Sequence, residues 1–114
     1  MVEPYKILTL NSISSLGLKR LPAGRYTCGN PIADPDAILV RSHDMHAMEF
    51  GAHVKAIGRA GAGVNNIPVK KMSERGVPVF NAPGANANAV KELVIAGLLV
   101  ASRNLVPALR FVDG

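Results

Sequence analysis

Between Val54 and Asn66 the chain reads V-K-A-I-G-R-A-G-A-G-V-N-N. A short apolar run, Val54 to Ile57, meets three glycines, Gly58, Gly61 and Gly63, with Arg59 held between them. This stretch constrains the fold more than any other. An apolar run of strand length bounded by turn chemistry is the pattern of a central strand in a parallel sheet covered on both faces. The glycines allow backbone N–H groups to approach a ligand with no Cβ in the way. Arg59 adds a planar fork of donors suited to a carboxylate or phosphate.

The same pattern recurs along the chain. Tyr5–Leu10 reads as a first strand, and Asn11-Ser12 turns the chain. Ser14 or Ser15 caps a helix expected through Arg20, before Pro22 and Gly24. Arg25–Cys28 is a weak strand, and Asn30-Pro31 and Asp34-Pro35 are turn chemistry. Ala37–Val40 is a short buried strand that runs directly into Arg41-Ser42-His43. Asp44 is placed to cap a helix over Met45–Phe50. Pro68 opens a helix continuing from Val69 to Arg75 and closed by Gly76, and Val77–Phe80 is a further strand. A long helix is expected from Asn88 to Arg103, capped by Asn88. It is apolar on all sides, which demands cover from a partner subunit or from more of the same protein. The end at Gly114 lacks a pattern of its own, and a longer parent protein is expected.

Strands alternating with helices predict an α/β fold with a parallel sheet and helices on both faces. Ligands in such sheets bind beyond the carboxyl ends of the strands. Three segments fall at such ends: Arg41-Ser42-His43, Gly58–Asn66 and Asn81–Asn86. Arg41 and Arg59 on neighbouring strand ends suit a substrate with two acidic groups. Ser42 offers a hydroxyl, and Asn86 stands before the long helix as a loop residue or a ligand contact.

Several other chemistries are disfavoured. Gly61-Ala62-Gly63-Val64-Asn65-Asn66 puts Asn66 where a dinucleotide fingerprint requires a third glycine or alanine, and no P-loop lysine follows. A plain structural turn and a small anion site therefore remain the two readings of this loop. The net charge of +5 favours anionic partners. Basic residues are nonetheless scattered, in runs no longer than two, without the interleaved aromatics of a nucleic-acid surface. His43, His46 and His53 lack companions at metal-ligand spacing and read as solvated side chains. One cysteine, Cys28, excludes an internal disulfide framework, fits a reducing cytoplasm, and reads as a buried thiol. The longest run of apolar residues and glycine, Leu93–Ala101, is far short of a membrane span. No nucleophile–base pair or carboxylate pair is evident, so the chain carries binding groups without a complete catalytic set.

Three segments together resemble a known family: G-R-A-G-A-G-V-N-N-I at 58–67, R-G-V-P-V-F-N-A-P-G-A-N at 75–86, and V-K-E-L-V-I-A-G-L-L at 90–99. With A-I-L-V-R-S at 37–42, they are similar to the D-isomer-specific 2-hydroxyacid dehydrogenases, and most of all to members acting on 3-phosphoglycerate. The resemblance implies a flavodoxin-like substrate-binding domain interrupted by an inserted Rossmann domain. Residues 1–103 would be its amino-terminal part, and 104–114 the crossover toward the Rossmann domain. The implied activity is NAD-dependent oxidation of 3-phosphoglycerate to 3-phosphohydroxypyruvate in serine biosynthesis. The implied setting is a cytoplasmic homo-oligomer without nucleic acid, membrane or metal.

By the same resemblance, Arg41 and Arg59 hold the anionic ends of the substrate, with Ser42 a weaker match. The N–H groups of Gly61 and Ala62 bind its carboxylate. Ala62 also touches the nicotinamide end of NAD, and Asn86 lies on the substrate side. The family's catalytic histidine, glutamate and arginine match nothing up to Gly114, so the 114 residues alone are expected to be inactive. Asn65 stands where many members have aspartate, Ala62 where some have threonine, and Ala87 and Ala89 where Thr and Ser are common. The last two remove a capping box with Glu92. Two alternatives stay open: a dehydrogenase for another 2-hydroxy acid, and a stand-alone flavodoxin-like binding module.

Overall fold

The computed structural model describes residues 2–114. Five strands form one sheet: β1 (Tyr5–Leu10), β2 (Tyr26–Gly29), β3 (Ala37–Val40), β4 (Ala56–Arg59) and β5 (Val79–Phe80). Their order is β2-β1-β3-β4-β5 and every neighbouring pair is parallel. This is the flavodoxin-like, doubly wound arrangement expected from the alternating pattern. Its strand order reverses between β1 and β3, where such folds bind ligands.

The core lies against β3 and β4. Ile38, Val40 and Ile57 are almost wholly buried, and Leu10, Met45, Val54, Ile67, Met72 and Val77 complete the cluster. Burying an aliphatic side chain of this size contributes about 2 kcal/mol. The cluster therefore holds β3 and β4 in register, Val40 opposite Arg59.

Helices are α1 (Ser15–Leu18), α2 (Val69–Glu74), α3 (Ala87–Ser102) and α4 (Leu105–Asp113). Several boundaries differ from expectation. The first helix stops at Leu18, because Arg20 and Leu21 N–H tighten onto the Gly17 and Leu18 carbonyls. No helix forms over Met45–Phe50. There Asp44 Oδ1 accepts the His46 N–H at 3.0 Å in a local turn. The Met48 N–H closes a single turn onto the Met45 carbonyl, while the Met45 N–H goes to the Asn66 carbonyl and the Phe50 and Gly51 carbonyls accept from Arg75, so the segment is tied at both ends to remote parts of the chain.

The central strand starts at Ala56, with Val54 buried ahead of it, and extends through Gly58 to Arg59. β5 is shortened to two residues. The Val77 N–H instead caps α2 on the Met72 carbonyl, next to Gly76 at φ +71°. Cys28 is half-buried within β2, not fully buried.

The chain divides into two compact units, the first ending at Pro83 and the second spanning Gly84–Gly114. The boundary expected between residues 103 and 104 falls inside the second unit, at the junction of α3 and α4. In that unit Asn86, not Asn88, occupies the N-cap of α3. Asn88 lies two residues inside and donates to Glu92 Oε1 at 3.0 Å. The final segment, which has little sequence pattern, forms α4. α3 carries exposed apolar side chains along its length, Leu93 at 74% and Leu98 at 66%. Among the described residues no single helix is long and apolar enough to cross a membrane.

Candidate functional site

The carboxyl ends of β1, β3, β4 and β5 deliver four short segments. β1 ends into Asn11, whose φ of +46° is a left-handed conformation that asparagine tolerates well. Its side chain reaches across the strand-order reversal to the turn after β3. Asn11 Oδ1 accepts the N–H groups of Arg41, Ser42 and His43 at 3.4, 3.2 and 3.2 Å. Asn11 Nδ2 donates to Ser42 Oγ at 2.6 Å, which leaves the Ser42 hydroxyl hydrogen free to point elsewhere.

The same turn is held from its carbonyl side. Asn66 Nδ2 donates to the Arg41 carbonyl at 3.3 Å and to the His43 carbonyl at 2.9 Å. Arg59 Nε, from the end of β4, donates to that Arg41 carbonyl at 2.9 Å. The guanidinium then lies over Gly61: a Cβ at residue 61 would sit 2.1 Å from Arg59 Nη1. Among the described residues, the Nη groups of Arg59 and the whole guanidinium of Arg41 have no hydrogen-bond acceptor. Two cationic groups on adjacent strand ends are thus left with donors to spare.

The glycine loop is pinned from β5. The Ala82 N–H donates to the Gly61 carbonyl at 3.0 Å, and Asn81 Nδ2 donates to the Ala62 carbonyl at 2.9 Å. A trans peptide points its N–H opposite to its C=O. Fixing these two carbonyls on the β5 side therefore turns the Ala62 and Gly63 N–H groups away from it. Neither has an acceptor among the described residues, whereas the Gly61 N–H closes a tight turn onto the Arg59 carbonyl at 2.9 Å. Two adjacent unpartnered amides next to the Arg59 guanidinium, with Arg41 on the neighbouring strand end, make a donor set suited to an anion.

Of the site residues read from the sequence, Arg41, Ser42, Arg59, Gly61 and Ala62 converge at the ends of β3 and β4. Asn86 lies in the second unit, at the start of α3, with no side-chain cap bond. Sequence reasoning missed Asn11, Asn66 as a bridge, and Asn81. All three are asparagines at strand or loop ends, where the residue type signals only a turn. His46 Nε2 bonds to the Asn65 carbonyl at 2.7 Å, and His53 pairs with Asp34. Among the described residues, no three His, Cys, Asp or Glu side chains gather around a metal position.

A dinucleotide would not be cradled by this loop. The glycine turn leads to Pro68, which caps a helix of only six residues with no side-chain cap bond. The direct step from glycine turn into helix that the dinucleotide fingerprint requires is therefore absent from this loop.

A family model, D-isomer specific 2-hydroxyacid dehydrogenase, catalytic domain, matches residues 24–106. A D-3-phosphoglycerate dehydrogenase of Methanocaldococcus jannaschii is 41% identical over 80 residues, covering 68% of this chain and 15% of that protein. A hydroxypyruvate reductase of Thermotoga maritima is 39% identical over 80 residues, covering 68% of this chain and 26% of that protein. Among solved structures, NAD+-bound 3-phosphoglycerate dehydrogenase of Entamoeba histolytica superposes with a TM-score of 0.66 at 26% identity. That match covers 86% of this chain and 39% of the other. The chain thus spans well under half the length of each of these relatives.

Proposed function

This chain belongs to the D-isomer-specific 2-hydroxyacid dehydrogenase family, and from that premise we propose that it is the substrate-binding part of an NAD-dependent dehydrogenase for 3-phosphoglycerate. In the proposed reaction a hydride leaves the hydroxyl-bearing carbon and a proton leaves its oxygen, giving 3-phosphohydroxypyruvate in the route to serine. Bound NAD, held mainly by residues outside this chain, supplies the hydride acceptor. The parent protein is a cytoplasmic homo-oligomer in this reading.

The observation that carries the proposal is the placement of Arg41 and Arg59 on adjacent strand ends, with uncommitted guanidinium donors beside the free Ala62 and Gly63 amides. 3-Phosphoglycerate has anionic groups at both ends, and this donor set is suited to a two-ended anion. We assign Arg41 and Arg59 to the anionic ends, with Ser42 contributing its hydroxyl. The loop receives the carboxylate through the Ala62 amide, since the Gly61 N–H is taken by the Arg59 carbonyl; Ala62 also meets the nicotinamide end, and the family likeness makes Asn86 a substrate-side residue. No residue here takes the catalytic proton, so the 114-residue polypeptide alone is expected to show no NAD-dependent turnover.

The test is Arg59→Ala in the full-length enzyme. Loss of a charge-assisted contact should raise KM for 3-phosphoglycerate about tenfold or more. Unchanged KM and kcat would remove Arg59 from the site. The likeness to a hydroxypyruvate reductase favours a second reading, a dehydrogenase for a hydroxy acid without phosphate. Comparing kcat/KM for 3-phosphoglycerate, glycerate and lactate separates the two.

A further inference from the structure

We propose that Asn11 and Asn66 are positioning residues for the arginine pair. They clamp the Arg41–His43 turn from opposite sides and so determine where both guanidiniums stand. This inference rests on the substrate-binding role argued above and adds residues to it that touch no substrate.

The argument is an accounting of backbone groups. Arg41, Ser42 and His43 are exposed, so water competes for their backbone groups, yet side-chain amides of the protein supply the partners. The three successive N–H groups of Arg41, Ser42 and His43 all point to one acceptor, Asn11 Oδ1. Two carbonyls of the same turn, those of Arg41 and His43, share one donor, Asn66 Nδ2. The turn therefore has almost no backbone bonding of its own and takes its shape from two side-chain amides. One comes from the end of β1 and one from the loop after β4, on either side of β3.

The consequence reaches both arginines. Arg41 is the first residue of the clamped turn. Arg59 depends on it indirectly, because the Arg41 carbonyl that receives its Nε at 2.9 Å also receives Asn66 Nδ2 at 3.3 Å. Releasing Asn66 frees that carbonyl to rotate, and Arg59 loses its anchor without being altered. Asn66 is itself held in place: its carbonyl accepts the N–H of Met45, a residue with no solvent exposure.

The bonds to the turn's backbone use opposite ends of the two amides, the oxygen of Asn11 and the nitrogen of Asn66, while Asn11 Nδ2 also holds Ser42 Oγ, and the test exploits the difference. At residue 11 the essential atom is the oxygen, which aspartate retains. At residue 66 it is the nitrogen, which aspartate lacks, and a carboxylate there would face two carbonyls. Asn11→Asp and Asn66→Asp therefore introduce the same charge on either side of the same turn with opposite expected outcomes. In the full-length enzyme Asn66→Asp should raise KM for 3-phosphoglycerate about tenfold, with kcat and the KM for NAD changed less than about threefold. Asn11→Asp should stay within about threefold on every parameter, whereas Asn11→Ala should match Asn66→Asp.

Amide hydrogen exchange over residues 41–43 supplies a readout independent of catalysis. It should accelerate in Asn66→Asp and Asn11→Ala and remain slow in Asn11→Asp. Equal KM shifts for the two aspartate variants, or unchanged exchange in Asn66→Asp and Asn11→Ala, would overturn the inference. If exchange follows the expected pattern but Arg59→Ala leaves 3-phosphoglycerate kinetics untouched, the clamp stands and the substrate assignment fails.

Discussion

Arg59 Nε donates a 2.9 Å hydrogen bond to the backbone carbonyl of Arg41, tying the side chain at one strand end to the main chain at the next. The two residues share more than a cleft. The main chain of one is the anchor of the other, so the cationic pair is a single unit held at the carboxyl edge of the sheet. Anchoring through Nε leaves both Nη groups without an acceptor among the described residues, so their donors remain for an oxyanion.

Gly61 is the first place where this arrangement can be challenged. A Cβ there would meet Arg59 Nη1 at 2.1 Å and Cζ at 2.9 Å. The obstructing atoms belong to the end of a flexible side chain, so the guanidinium moves and the backbone does not. Gly61→Ala should leave stability within about 1 kcal/mol of wild type. In the parent enzyme it should raise KM for 3-phosphoglycerate nearly as far as Arg59→Ala does. Denaturant unfolding together with steady-state kinetics checks both halves. A large loss of stability with normal KM would mean that the glycine serves the turn and not the arginine.

Asp36 gives the fold a defined acid sensitivity. Its Oδ2 accepts the Lys6 N–H at 2.8 Å and its Oδ1 accepts Lys55 Nζ at 3.0 Å, joining the amino ends of β1, β3 and β4. The backbone hydrogen bond from Lys6 is the larger influence and Lys55 the next, and together they hold its carboxyl below the ordinary value. The folded state therefore binds the proton less readily than the unfolded state. The contribution of Asp36 is complete above about pH 4 and fades as pH falls from there through its lowered folded value. Asp36→Asn should be less stable than wild type at pH 7, and the gap should narrow on acidification below about pH 4. Urea midpoints measured across that range decide the point. A constant gap would show that the carboxylate charge contributes nothing.

Ile57 tests the core beneath the site. It has no solvent exposure, and it stands two residues before Arg59 on β4, paired with Ile38 and Val79. Ile57→Ala removes three buried carbons in a cluster with little freedom to collapse, at a cost of about 2–5 kcal/mol. The urea midpoint of the purified protein should fall with no change in the denaturant slope. A loss below about 1 kcal/mol would mean that the surrounding side chains refill the space.

The amino-acid sequence by itself determined most of the sheet and the location of the site. Ala37–Val40 is a strand with the expected boundaries, because an uninterrupted aliphatic run ending at a charged turn has few other uses. Gly58–Asn66 was legible as a tight turn at a strand end because clustered glycines after an apolar run signal close backbone approach. Gly76 and the α2 terminus were legible for the same local reason, with Gly76 at φ +71°. Where the pattern misled, partners remote in sequence had the deciding influence. Met45–Phe50 has helical chemistry, but its two ends are tied by hydrogen bonds to Asn66 and Arg75 and only a single turn forms between them.

Only the tertiary structure decided how the anion site is held. Asn11 and Asn66 lie 30 and 25 residues from Arg41, and no spacing rule connects them. An asparagine after a strand reads as a turn residue whatever its amide touches. It becomes a clamp only when the 2-1-3-4-5 strand order brings the ends of β1 and β4 to either side of β3. Local chemistry is written in the residues, whereas the partner of a side-chain amide depends on which strand ends the sheet makes neighbours.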